Sequence, residues 1–245
     1  MSLLRQYVDL VSIQLRSMRD DTVMIMVIHI ALSLGLVIGM GYLVPEISDS
    51  TALFLITGTA TQAFVTTGLV MLPQMLSQSR NDGRLEYFLT MPISREAYLL
   101  SQITVVAVSS FPGAFFALAF GAWYYDIGLV ADPAFLGVMV LTVLSLAGVG
   151  VAMAMFAPGP QVTNAVTQLI IFYVLFFSPV IFPASQLPEA LQHVARFAPP
   201  TYAADGVRAT LTNLPGTHLG RDLGVMGAFA AGSIVLSAFA IRRRG

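Results

Sequence analysis

Few residues in this chain can do chemistry, and the missing types narrow the field more than those present. Cysteine is absent, which removes disulfides, thiolate metal sites and cysteine nucleophiles. Every basic residue is arginine, so a phosphate-binding loop, which requires lysine, cannot be written in this sequence, and neither can a lysine Schiff base. Among the histidines, His193 and His218 lack the spacing of a metal site. His29, alone in an apolar run, reads as a hydrogen-bonded packing residue rather than a ligand. No Gly-x-Ser-x-Gly turn offers a hydrolase nucleophile. The expectation is a chain with no catalytic residue, no metal and no cofactor of its own, so that any use of ATP falls to a partner.

The elements that would position other functional groups follow from composition. Apolar residues make up 56% and charged residues 10%, against roughly 25% charged in an ordinary soluble domain. So much apolar surface cannot all be buried within 245 residues, and the remaining solvent must be lipid. A formal net charge of -1, with no long basic run before the last residues, argues against a nucleic-acid partner. Windows of about 20 residues, enough to cross roughly 30 Å of hydrocarbon, pick out six apolar stretches at 23–44, 51–72, 97–124, 134–156, 164–182 and 223–241. The predicted fold is all-α, a single polytopic domain over 1–245 with six transmembrane helices.

Arginine placement predicts the orientation. Arg5, Arg16 and Arg19 precede the first span, Arg80, Arg84 and Arg95 follow the second, and Arg242, Arg243 and Arg244 follow the sixth; these segments are expected on the cytoplasmic side of the cell membrane, with both termini inside. Tyr42 and the run Trp123, Tyr124, Tyr125 fall at the opposite ends of spans, where amphipathic rings favour the headgroup layer. With charges ahead of the first apolar run, no cleavable signal peptide is expected. Residues 1–22 pattern as an amphipathic helix on the membrane surface, with Leu4, Val8, Val11, Leu15 and Met18 on one side and Arg5, Asp9, Ser12, Arg16 and Arg19 on another. Gln14 interrupts the apolar arc.

The segment 78–93 between the second and third spans carries the densest local signals. Gly83 can break the incoming helix, residues 85–89 form a short helical turn bearing both charge and large apolar side chains, and Pro92 stops it. Ser94 can then cap the next helix, with Glu96 near its positive end. Tyr87, Phe88 and Met91 would be costly to leave in water, which suits docking against another protein as well as it suits a tight turn packed on its own bundle. The connection 184–222 is too long for a simple turn and divides at Pro199 and Pro200 into two helix-like halves. Asp205 and Arg208, one turn apart, are placed to pair.

Two separated motifs resemble those of the permease subunits of type 2 ATP-binding cassette exporters, a family that includes bacterial drug, polysaccharide and lipo-oligosaccharide exporters. One is Gly83, Arg84, Leu85, Glu86, then Thr90, Met91, Pro92, Ile93, Ser94, similar to the family's coupling-helix pattern with Arg84 in place of the usual threonine. The other runs through Ser178, Pro179, Phe182, Pro183, Leu187 and Pro188 to Pro199, Thr201, Tyr202, Asp205 and Arg208. The resemblance implies a dimer of six-helix units, each resting on a separate ATPase subunit that binds ATP and Mg. It implies coupling to that subunit through Arg80, Gly83, Arg84, Leu85, Glu86, Tyr87, Phe88 and Met91. It further implies an extracellular gate, a re-entrant helical hairpin between the fifth and sixth spans, involving Pro179, Phe182, Pro183, Tyr202, Asp205 and Arg208.

Polar residues cluster at Thr59, Gln62 and Thr66 in the second span and at Asn164, Thr167 and Gln168 in the fifth. Such residues commonly bond helices to one another; the resemblance instead puts these two spans beside the substrate path, suited to an amphipathic or lipid-linked cargo. No Asp, Glu or Arg falls near a predicted midplane, which disfavours the alternative of an ion-gradient-driven transporter or channel. An intramembrane enzyme would need a catalytic constellation that the sequence does not offer.

Overall fold

The computed structural model describes residues 3–17, 19–43, 47–90, 93–130, 132–181, 183, 188–195, 197–212 and 218–242, and every regular element among them is helical. The chain begins with α1 (Leu3–Ser17) and α2 (Arg19–Leu43), followed by α3 (Asp49–Val65), a π-helical segment (Thr66–Met71) and α4 (Leu72–Asn81). Next come α5 (Arg84–Thr90), α6 (Arg95–Tyr124), α7 (Ala134–Phe156), α8 (Pro160–Phe177), α9 (Glu189–Ala195), α10 (Pro199–Leu211) and α11 (Leu219–Arg242).

Four helical stretches among the described residues are long and apolar enough to cross a membrane: Val23–Tyr42, Asp49–Asn81, Ala97–Tyr124 and Ala134–Phe156. They coincide with the first four expected spans. The stretches expected as the fifth and sixth are helical as α8 and α11, with α8 ending at Phe177, ahead of the expected 182. On one side of α2, Val23, Met24, Val27 and Leu32 are exposed, an apolar surface that suits contact with hydrocarbon.

The second span is longer than the window analysis implies. Its 33 residues correspond to about 50 Å of helix at 1.5 Å per residue, well beyond a hydrocarbon core of roughly 30 Å. Hydropathy scanning stops near residue 72 because α4 carries Gln74, Ser77, Gln78 and Arg80, yet the backbone continues helical through them. The π segment lies where the apolar half meets this polar extension. Gly68, inside it, is packed so closely on α7 that an added Cβ would stand 3.0 Å from the Ala147 amide and from Leu146 Cβ. Gly150 of α7 lies reciprocally against the Gly68 carbonyl.

Two apolar clusters organise the bundle. One joins Leu55, Phe64, Leu69, Leu118, Val138, Leu146, Val174, Val180 and Val207, uniting α3, α6, α7, α8 and α10. The other, toward the α5 end, joins Leu10 of α1 with Leu72, Leu76, Tyr98, Val151 and Met155. α1 is therefore more than a surface helix. Its Tyr7 hydroxyl bonds Thr104 at 2.7 Å, Gln14 donates to Ser101 at 3.0 Å, and Gln6 accepts from the Ser94 amide at 3.0 Å. Leu4 and Val8 remain exposed on another side. Gln14 interrupts the apolar arc because it faces α6, not lipid.

The expected division at Pro199 and Pro200 is present, since α10 begins there. Asp205 and Arg208 pair as their spacing predicts, and the helix that carries them is not exposed: α10 packs on α3, α7 and α11, with Pro200, Ala203, Ala204, Val207, Arg208 and Leu211 all buried. Leu187, in the first half of the expected hairpin, lies outside the described residues.

Candidate functional site

At the α5 end, α4 closes with Asp82, whose amide bonds the Gln78 carbonyl at 2.9 Å while the Gln78 side chain donates to the Asp82 carboxylate at 2.7 Å. Gly83 then adopts φ +71°, the left-handed region that costs a residue with Cβ about 1 kcal/mol; this reverses the chain into α5. The Tyr87 amide bonds back to the Gly83 carbonyl at 3.0 Å, and Thr90 closes the short helix by donating to the Tyr87 carbonyl at 2.7 Å. Ser94 accepts from the Ala97 amide at 3.3 Å and caps α6 as its sequence position predicts.

The residues expected to form the coupling surface divide by direction. Phe88 turns inward, its ring 5.1 Å from that of Tyr98. Gly83, Arg84 and Tyr87 face outward, with Tyr87 63% exposed and Arg84 making a 3.6 Å surface contact to Asp82. Leu85 and Glu86 are helical in backbone, but their side chains lie outside the described residues, as does the whole of Met91. Arg80 turns away from this surface into the bundle. Its Nη1 donates to the carbonyls of Ala154 at 2.7 Å and Met155 at 3.2 Å, and its Nη2 to that of Ala157 at 2.6 Å. These carbonyls belong to the end of α7, which carries unpaired acceptors and a partial negative charge.

At the opposite end, Arg208 is 1% exposed. It donates through Nη1 to the Pro179 carbonyl at 3.1 Å and to Asp205 at 3.0 Å, and through Nη2 to the Val180 carbonyl. Its guanidinium lies 4.1 Å from the centre of the Phe54 ring, a favourable cation–π placement in a desolvated site. Burial draws the Arg208 pKa down to about 10 and pushes the Asp205 carboxyl up, while each partner's charge pulls the other back toward the ionised form. Gly58 of α3 adjoins the backbone of Val180 and Ile181 so closely that a Cβ would collide with it. Tyr202 is half-buried, with Arg221 5.9 Å from its ring centre. Pro179 is buried and Pro183 half-buried, and Phe182 lies outside the described residues.

The two polar groups expected along a substrate path are not equivalent. Thr59 is buried and Gln62 half-buried, and neither Thr59 Oγ1 nor Gln62 Oε1 has a hydrogen-bond partner among the described residues. Thr66 opens the π segment. On α8, Thr167 is buried, accepts from Gln74 Nε2 at 2.8 Å and donates to the Asn164 carbonyl at 2.9 Å; it ties α8 to α4. A second tie runs from Thr163 to Ser77 at 3.0 Å. Asn164 and Gln168 are exposed. Sequence reasoning missed Phe54, Gly58, Gln74 and Tyr173, whose buried hydroxyl on α8 has no partner among the described residues. For Tyr173, a polar group within an otherwise apolar helix was an available signal; for Gln74, in the polar α4, and for Phe54 and Gly58 there was none.

Long apolar helices around a tightly packed core define a helical membrane protein. A family model described as ABC-2 type transporter matches residues 5–212, and the chain belongs to that family. Over 109 residues it is 33% identical to Nodulation protein J of Rhizobium meliloti (strain 1021), covering 44% of this chain and 42% of that protein. It is 30% identical over 109 residues to Nodulation protein J of Rhizobium leguminosarum bv. viciae, again covering 44% of this chain and 42% of the relative. The matched stretch thus spans less than half the length of these curated relatives.

Proposed function

We propose that this chain is the transmembrane subunit of an ATP-driven exporter, with six spans and both termini cytoplasmic, moving an amphipathic or lipid-linked cargo across the cell membrane. A separate ATPase subunit binds ATP and Mg and docks on α5; a second copy of the permease completes the pathway. The observation that carries this reading is the geometry at the α5 end. A left-handed glycine turns the chain into a short helix, and that helix presents Arg84 and the exposed Tyr87 to a partner while Phe88 anchors it from behind. An aromatic ring exposed on a firmly held helix is the kind of group around which interface energy concentrates.

The cargo class is supported by polar atoms of Thr59, Gln62 and Tyr173 that have no partner among the described residues and by the exposed carboxamides of Asn164 and Gln168. Neutral groups among apolar walls suit a ligand with both polar and hydrocarbon parts. The exposed part of α8 is where the second copy is assigned.

The test is association with the ATPase. Tyr87→Ala should leave the melting temperature of the purified chain unchanged, because the ring is exposed, and weaken capture of the ATPase by about 2 kcal/mol, measured by titration in detergent or nanodiscs. Undiminished capture by Tyr87→Ala and by Arg84→Glu would place the docking surface elsewhere.

A further inference from the structure

Arg80 sits at the base of the coupling segment, yet its donors point at the end of α7. Its nearest described carbonyl partners belong to Ala154, Met155 and Ala157, at 2.6 to 3.2 Å, and they lie 74 to 77 residues away in sequence. A planar guanidinium bridging successive carbonyls holds both position and angle, which a single ammonium does not. Between this clamp and the π segment, α4 is also joined to α7 by the buried contacts of Leu72 and Leu76 with the cluster containing Val151, Ala154 and Met155. At its upper limit Gly68 and Gly150 bring the two backbones into direct contact. α4 and the facing half of α7 are therefore fastened at both ends.

Above that block, α3 changes partners and packs chiefly on α6 and α10. The change coincides with the π segment Thr66–Met71, a local departure from α-helical bonding of the kind found where helices kink. A small cavity of about 10 Å³, lined by Phe64, Thr67, Gly68, Ala107, Val143 and Ala147, adjoins it.

We propose that Arg80 is a positioning residue that fastens the coupling segment to the fourth span, making α4 and the facing half of α7 one lever that pivots at the π segment. The lever rests on the coupled-exporter reading and specifies where force from the ATPase enters the bundle. It travels through two spans together, and the second span bends at Thr66–Met71 instead of tilting as a rod.

The native absence of cysteine lets this be tested with spin-label pairs in the full chain, reconstituted in lipid with its copurifying ATPase and compared without nucleotide and with trapped ADP–vanadate. Labels at exposed Gln78 and Phe156 report on the clamp; labels at Ser50 and Gln78, on either side of the π segment, report on the pivot. Trapping should shift the Ser50–Gln78 distance by several ångströms and leave Gln78–Phe156 unchanged. Arg80→Ala should make Gln78–Phe156 nucleotide-sensitive, and Arg80→Lys should do so to a lesser degree. A Gln78–Phe156 distance that changes in the unsubstituted chain as much as Ser50–Gln78 overturns the lever, and this outcome does not depend on the folding of any Arg80 variant. If neither pair responds to nucleotide and the chain does not alter ATP turnover, the coupled reading fails and the lever with it.

Discussion

Each end of the bundle is secured by an arginine that reads backbone carbonyls, but the two operate in different surroundings. Arg80 is half-buried and caps the end of one helix from the side of another. Arg208 is sealed from solvent among two carbonyls, a carboxylate and an aromatic face. A charge already removed from water must keep every partner or it destabilises the fold. Arg80 stands closer to water, so removing its bonds costs the fold less, because water takes their place. The α10 end is thus the more deeply sealed of the two, and the α5 end the one whose arginine bonds lie nearer solvent.

The largest effect separating the ends is expected from Arg208→Ala, which leaves Asp205 and two carbonyls without their donor and should lower stability by about 3–5 kcal/mol, read as a fall in melting temperature in detergent. A smaller penalty, about 1–3 kcal/mol, is expected for Gly58→Ala, since the new Cβ meets the backbone of Val180 and Ile181 rather than a side chain that can turn aside. At the other end, Gly83→Ala should cost only about 1 kcal/mol in the same assay, its Cβ meeting open space; its principal effect falls on α5 and hence on ATPase docking. Equal melting-temperature losses for Arg208→Ala and Gly83→Ala would erase the distinction between a sealed end and a more open one.

What the sequence made legible was mostly local. The left-handed glycine at 83, the Ser94 cap, the Pro199 helix start and the Asp205–Arg208 pair each depend on residues within a few positions of one another, and each is present. The first four apolar spans are equally plain, because lipid demands an uninterrupted run of apolar side chains. The continuation of the second span through Gln74, Ser77 and Gln78 was hidden because hydropathy measures transfer to lipid, while these side chains are satisfied by α8 and by the turn at Asp82. Arg80 looked like part of a docking surface because its cluster of charges is local, whereas its carbonyl partners are brought to it only by the fold. The burial of Arg208 was equally hidden: Phe54 lies 154 residues earlier, and an apolar run gives no sign of which ring will face a guanidinium.

The proposal that this permease is driven through α5 by a separate ATPase is tested by ATP turnover of the two subunits reconstituted together in lipid, beside the same mixture carrying Glu86→Ala. Turnover should depend on both proteins and become uncoupled from transport, or fall, in the variant, with the permease still folded. Turnover indifferent to the permease, or unchanged turnover and transport with Glu86→Ala, would contradict the proposal.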